Sequence, residues 1–168
     1  MNYNTQNVFD IRQANVADID SIIDIFRNGS LQSLGMSLKE PDLNNYFKTC
    51  LTSQTDAFKI WVATDNEKII GWQSILATRV NPFIRPYYGE SSTYVTQTNI
   101  KGVATALLQK AMIESAKSEL QYILGYISFA NGAMKHIVEK LGWEQVGQIK
   151  GSSKRFVSPD LHLYVCYL

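Results

Sequence analysis

Two β-rich runs, Phe58 to Thr64 and Lys68 to Thr78, are separated only by the polar triplet Asp65-Asn66-Glu67. So short a connection turns the chain back on itself and pairs the two runs antiparallel, because a parallel crossover needs roughly a dozen residues or more. Whatever else forms, the sheet is not the all-parallel sheet of a doubly wound nucleotide-binding module.

The segments on either side complete the plan. An extended run around Ile11 ends at Asn15, a suitable N-cap, after which Ile19, Ile22, Ile23 and Phe26 recur at helical spacing. Gly29 and Gly35 are expected to weaken the end of that helix, and Pro41, in a first turn, opens a second through Leu43, Tyr46, Phe47 and Leu51. Pro82 and Pro86 restrict themselves and their predecessors, so 81–86 reads as a loop, followed by a strand from about Tyr88 to Thr96. Gly102 begins a helical pattern through Ala106, Leu107, Ala111 and Met112 that ends near Ser118. Tyr122 to Phe129 reads as a strand, Asn131 to Leu141 as a helix closed by Gly142, and Trp143 to Ile149 as a strand. The alternating Leu161, Leu163 and Val165 finish the chain. The order is β-α-α-β-β-β-α-β-α-β-β, a mixed α/β plan with antiparallel strands first and a β-α-β unit in the middle. At 168 residues, with no internal repeat or linker, one domain spanning 1–168 is expected.

Composition narrows the function classes. A hydrophobic share of 45% supplies a core and excludes disordered, collagen-like and low-complexity chains. Sixteen basic against fifteen acidic residues leave a net charge of +1, so no overall field draws the protein to nucleic acid or anionic lipid. Neither nucleic acid nor membrane is an expected partner, and any anion site must be local. Cys50 and Cys166 are too few for a disulfide framework. With His136 and His162 as the only histidines and no HExxH or paired CxxC, no metal is expected. The start, Met1 to Gln6, has no apolar h-region and no stretch approaches the ~20 apolar residues of a span, so the expectation is a soluble, cytoplasmic protein.

The local anion site has one candidate. The segment from Thr93 to Leu108 is a strand running through a loop into a helix. First-turn amides of such a helix lack intrahelical acceptors and favour a phosphate. Gly102 and Ala104 are small enough to let a pyrophosphate approach the backbone, and Lys101 adds a cation. An ordinary β-α turn has the same appearance. Neither GxGxxG nor GxxxxGK[ST] is present, so nucleotide hydrolysis has no support.

The pattern Asn99-x-x-Gly102-x-Ala104, after the fourth strand, resembles the acyl-CoA signature of the GCN5-related N-acetyltransferases, normally Gln/Arg-x-x-Gly-x-Gly/Ala. Ala130-Asn131-Gly132-Ala133 with Leu141-Gly142-Trp143-Glu144-Gln145-Val146-Gly147 is similar to that family's closing segments, and Ile11-Arg12-Gln13-Ala14 with Asp18-Ile19 to its opening ones. Gly71-Trp72, the run Gly89-Glu90-Ser91-Ser92-Thr93-Tyr94-Val95 and the strand Asp160 to Tyr164 resemble the phosphinothricin and methionine-sulfone branch. Two departures stand out. Asn99 replaces Gln or Arg, in a loop one residue short and without the common His-Pro pair, and Val138 occupies the position where relatives often carry His or Tyr. A general acid is then missing or supplied from elsewhere.

The resemblance implies a single-domain α/β fold with a twisted, mostly antiparallel sheet flanked by helices and a V-shaped splay between strands 4 and 5. It implies acetyl-CoA as cofactor, a small-molecule amine as acceptor, with the α-amine of an amino acid or its analogue preferred, and a homodimer. Polyamine, aminoglycoside or protein N-terminal acceptors stay open, as does a catalytically degenerate acyl-CoA-binding domain. In the site it implies, Tyr94, Val95 and Thr96 offer main-chain groups to the pantetheine arm, the amides of Ile100, Lys101, Gly102, Val103, Ala104 and Thr105 hold the pyrophosphate with Asn99 beside them, and Asn131 bonds the arm or simply caps its helix. Glu90 takes the proton from the attacking amine, unless it is only a glutamate on a solvent face. Arg85 would hold a substrate carboxylate as a bidentate partner or lie on the surface, and Phe83, with Tyr87, Tyr88 and Trp72, would wall the acceptor pocket or fill core. His136, Cys50, Cys166, Lys150, Lys154 and Arg155 are expected to be structural or solvated.

Overall fold

The computed structural model describes residues 9–34, 42–77, 87–151 and 159–168. The elements run β1 (Asp10–Gln13), α1 (Ile19–Leu34), α2 (Leu43–Thr52), β2 (Lys59–Asp65), β3 (Lys68–Ala77), β4 (Tyr88–Val95), α3 (Val103–Ser115), β5 (Tyr122–Ser128), α4 (Gly132–Lys140), β6 (Glu144–Ile149) and β7 (Leu161–Tyr167). That is the order expected from the sequence. The seven strands make one sheet, β1-β2-β3-β4-β5-β7-β6, antiparallel except for β4 and β5, which α3 joins as a parallel crossover.

The β2–β3 hairpin closes more tightly than the triplet suggested. Asp65 pairs with Lys68, so only Asn66 and Glu67 turn, with φ of 45° and 70°. Positive φ at both central positions is the two-residue geometry whose twist matches that of the flanking strands, and Asn is well suited to it.

At the start of α1 the chain is tied by charge. Asn15 caps a short 3-10 turn, Val16–Asp18, accepting the Ala17 N–H, while Asp18 accepts the Asn15 N–H at 2.8 Å. Arg12 donates to both oxygens of Asp18 at 2.8 Å. These hydrogen bonds from Arg12 chiefly hold the Asp18 carboxyl below its ordinary value, against the opposing effect of its burial.

Helix α1 then continues through Gly29 to Leu34, where a weakened end was expected. The reason is packing: a Cβ at Gly29 would stand 2.6 Å from Cδ1 of Tyr94, so the glycine admits a ring from β4 and does not end the helix. Gly35 and Pro41 lie outside the described residues. Helix α2 opens at Leu43, with Asp42 as its N-cap accepting the Asn45 N–H at 3.0 Å.

Two apolar layers hold the sheet. On one face Val103, Leu107, Leu108 and Ala111 of α3 and Val138 of α4 pack on Ile75, Ile123 and Ile127. On the other, Ile22 and Ile23 of α1 with Phe47 and Leu51 of α2 cover Ile60, Val62 and Trp72. Among the described residues no helix is long and apolar enough to cross a membrane.

The feature that positions the site is a partly unzipped seam. Strands β4 and β5 pair only over Tyr88–Ser91 and Tyr122–Gly125. Beyond that point Ser92 to Val95 pair with β3 alone and Tyr126 to Ser128 with β7 alone. This is the V-shaped splay between strands 4 and 5.

Candidate active site

Side chains alternate along β4, which divides its residues between two environments. Val95 packs with the α3 layer and Tyr94 with the α1–α2 layer, so Ser91, Thr93 and Val95 share one face and Glu90, Ser92 and Tyr94 the other. The Ser91 hydroxyl accepts from buried Gln73 at 2.9 Å, and the Thr93 hydroxyl donates to the same amide. A cleft of about 380 Å³ fills the splay, with Glu90, Tyr94, Tyr126, Asn131 and Val138 among its lining.

Glu90 sits at the root of this cleft, where the seam opens. Among the described residues it has no ion-pair partner, and partial burial alone pushes its carboxyl above the ordinary 4.5. A carboxylate so placed is a better proton acceptor near neutral pH than one in water.

Tyr126 was not singled out in the sequence. Glu90 pairs with Leu124, so Tyr126, two residues on, lies diagonally across the splay on the same face. Its hydroxyl is pushed upward, first by burial and then by the negative charge of Glu90 and by Tyr88. The group stays protonated and able to donate. The signal was in the alternation of Tyr122, Leu124 and Tyr126 along β5, but a strand tyrosine is more often a packing residue. Tyr122 is one here, stacked on Tyr88 with centroids 5.2 Å apart.

The main-chain expectation for β4 shifts by one residue. The Thr96 N–H donates to the Ile70 carbonyl at 2.9 Å, and the Thr96 hydroxyl donates there too. In an antiparallel ladder the hydrogen-bonded pairs alternate, so Tyr94, opposite Trp72, also directs its main-chain groups at β3. Tyr94 and Thr96 therefore do not offer main-chain groups to the splay. By the same alternation Thr93 and Val95 direct their main-chain groups away from β3, toward the splay.

The start of α3 is an open cradle. Gly102 takes φ of +84° as an N-cap without a side-chain hydrogen bond, and no atom of the described residues lies within 4 Å of where its Cβ would stand. Among the described residues no acceptor meets the amides of Val103, Ala104 or Thr105. Lys101 and Asn99 are exposed beside them. Ile100 departs from the expectation: its N–H is held by Thr98 Oγ1 at 3.1 Å and its side chain packs on the core.

Asn131 caps α4, accepting the Met134 N–H at 3.0 Å, and lines the cleft at the same time. Val138 is buried on the cleft wall and offers no proton. Phe83 and Arg85 lie outside the described residues, as do Lys154 and Arg155. His136 and Lys150 are exposed, Cys50 is half-buried, and Cys166 is buried with its thiol pushed upward by desolvation, which disfavours a thiolate. Among the described residues no cluster of three or more His, Cys, Asp or Glu is arranged to hold a metal ion.

No protein-family model and no curated protein matches the chain. Solved structures do. A ribosomal-protein-alanine N-acetyltransferase from Brucella melitensis superposes with a TM-score of 0.81 at 23% identity, over 95% of this chain and 99% of the other. An N-acetyltransferase from Staphylococcus aureus Mu50 gives 0.81 at 22%, over 95% and 98%. A phosphinothricin acetyltransferase of the GNAT superfamily from Sinorhizobium meliloti, solved in complex with acetyl-CoA, gives 0.80 at 23%, over 96% and 89%. The chain has the single-domain α/β fold these structures share, with an open, mostly antiparallel sheet flanked by helices. Different branches of that fold stand at the same distance from it, so the likeness does not favour the phosphinothricin branch named from the sequence.

Proposed function

We propose that this protein is an acetyl-CoA-dependent N-acetyltransferase acting on a small primary amine, by direct attack within a ternary complex. The observation that carries the reading is Glu90, a carboxyl raised by burial at the root of the β4–β5 splay. The same strand leads, through 96–102, to a helix start built for phosphate.

The chain's residues fit such a cofactor. Among the described residues the first-turn amides of α3 meet no acceptor and nothing fills the space of a side chain at Gly102, and Lys101 stands beside them. Bound there, acetyl-CoA supplies an acetyl thioester. The main-chain groups of Thr93 and Val95, left without a strand partner, suit an arm that pairs as a strand would, and one such N–H suits the oxygen that gains charge during attack. Glu90 removes the proton that would block the amine lone pair. The protonated Tyr126 hydroxyl is a donor on that face of the cleft, while the buried Cys166 thiol supports a route without an acyl-enzyme.

For the acceptor, an amino acid or analogue of the phosphinothricin or methionine-sulfone kind is the reading supported by the Gly89 to Val95 segment, with Arg85 as the partner of a carboxylate. A homodimer in the cytoplasm accompanies it. One observation favours a second reading, acyl-CoA binding without turnover: Val138 is apolar and buried where relatives often carry a proton donor.

Free thiol released from acetyl-CoA across an amine panel, with calorimetry of acetyl-CoA alone, separates these. Amine-dependent thiol release is expected. Tight binding of acetyl-CoA with no amine-dependent release would establish the binder, and no binding would overturn both.

A further inference from the structure

On the α1–α2 face, beside Glu90, lies a cavity of about 240 Å³ walled by Phe26, Tyr46, Phe47, Trp72 and Tyr94. We propose that it is the seat of the acceptor's tail, and that this tail is uncharged and apolar or aryl, with a hydrogen-bonding atom at its far end, which sets aside the anionic phosphinate of a phosphinothricin-like acceptor and keeps the neutral methionine-sulfone kind. The proposal rests on the reading of Glu90 as the group that receives the amine.

Five aromatic side chains around one point normally close on each other, since cores pack with few voids. Here the rings are fixed by mutual contact: Trp72 stacks on Tyr94 at 4.8 Å, Phe26 meets Tyr94 edge-on at 5.2 Å, and Phe47 meets Trp72 at 5.6 Å. The space persists because the sheet beneath is small. Ser74 and Ser92 stand directly opposite each other on β3 and β4, and both line the cavity. Two serines side by side remove the volume that a Leu or Ile pair would fill.

The floor also carries an unmet hydrogen bond. Ser74 is 1% exposed, and its hydroxyl has no partner among the described residues. It shares a face with Trp72, so it points toward the cavity. A buried hydroxyl left unpaired is costly in an ordinary core, and a ligand atom that bonds it removes that cost. Among the described residues no charged side chain lines the cavity, so these walls offer a charged tail no counter-ion. An engineered cavity of about 150 Å³ holds benzene, so this one has room for a ring and a substituent.

Position connects the cavity to the chemistry. Ser92 and Tyr94 line both this cavity and the cleft of the splay. Glu90 precedes Ser92 by one repeat of the same strand face, about 6.7 Å. An amine at Glu90 therefore places a two- or three-bond linker at the cavity mouth.

The test uses tyramine, phenethylamine and putrescine as probes, with thiol release from acetyl-CoA and calorimetric binding read side by side. The expected result is a kcat/KM for the two aryl amines at least tenfold above that for putrescine. Ser74→Ala should raise KM for tyramine about tenfold, with kcat held and phenethylamine changed less than twofold. Tyr46→Ala, at a half-exposed helix position, should raise KM for both aryl amines. If putrescine is acetylated while the aryl amines neither react nor bind, the tail assignment is overturned and the acetyltransferase reading stands. If the aryl amines bind, with tyramine weakened by Ser74→Ala, and no amine releases thiol, the reaction falls and the ligand class of the pocket stands. Neither binding nor release overturns both.

Discussion

The Tyr94 ring lies so close to Gly29 that a Cβ on the glycine would stand 2.6 Å from ring atom Cδ1. The ring has little room to retreat, because Trp72 stacks on it and Phe26 meets its edge. An alanine at a helix-interior glycine ordinarily stabilises by about 0.5–1 kcal/mol. Overpacking of this kind costs about 1–3 kcal/mol, so the clash wins. Gly29→Ala is expected to lower stability by about 1 kcal/mol in urea unfolding and to weaken amine binding more than acetyl-CoA binding, because Tyr94 lines both cavities. An increase in the unfolding midpoint would contradict this.

Glu90→Gln separates function from stability. Activity is expected to fall by about 10²-fold or more, the usual scale for a lost general base. In the native protein the acid limb of kcat/KM should lie above the ordinary 4.5, since burial raises the carboxyl, and the limb should vanish in the variant. The linkage runs the other way for the fold. A carboxyl raised on folding contributes stability below its unfolded value and loses it as pH rises through its folded value, so at neutral pH the ionised form is a burden. The glutamine variant should therefore unfold at the same or higher urea concentration at pH 7. Full activity in the variant at neutral pH would refute the assignment.

Gly102→Glu places a carboxylate among the first-turn amides of α3. An added Cβ meets no atom within 4 Å, so packing is spared, though the φ of +84° charges a side chain about 1–2 kcal/mol. Loss of acetyl-CoA binding by calorimetry with the far-UV spectrum intact is expected. Gly102→Ala, which shares the strain and lacks the charge, should bind more weakly than the native protein but measurably, and equal affinity in all three would remove the cradle from the site.

Arg12→Ala strands Asp18, whose side chain is only 7% exposed against 45% for Arg12. Hydrogen bonds to a charged group contribute about 1.5–3 kcal/mol, and the exposure of Arg12 discounts the pair toward the lower figure, so a loss of about 2 kcal/mol is expected at pH 7. Asp18 is lowered on folding, so its contribution is complete above the unfolded value near 3.8 and disappears as pH falls through the folded value. Urea midpoints of native and variant proteins should accordingly converge below pH 3.8. A constant gap across that range would show that the ion pair is not its source.

Much of this architecture was legible one strand or helix at a time. The tight hairpin followed from the shortness of 65–67, and the crossover from a helix pattern set between two strands. Glu90 was singled out only through the resemblance of the Gly89 to Val95 segment to a known family, and a glutamate on a solvent face would have looked the same in the sequence. What escaped depended on contacts between distant segments. Gly29 read as a helix breaker because nothing near it in the chain announces the ring of Tyr94. Thr93 was overlooked in favour of Thr96 because the phase of the β3–β4 ladder is set by Ile70, and alternation alone leaves that phase undetermined. The serine pair under the aromatic cavity was invisible for the same reason: Ser74 and Ser92 become neighbours only through register.

The alternation of β4 has a last consequence, for how the protein can change. Its two faces do unlike work, one knitted to Gln73 and the α3 layer, the other carrying Glu90, Ser92 and Tyr94. One residue inserted or deleted within 88–95 would exchange the faces downstream of the change, burying what now lines the cleft and exposing what now holds the core. Such a strand can change by substitution or by steps of two, so the lining of the cleft can be retuned residue by residue while the length of this segment is held by its alternation.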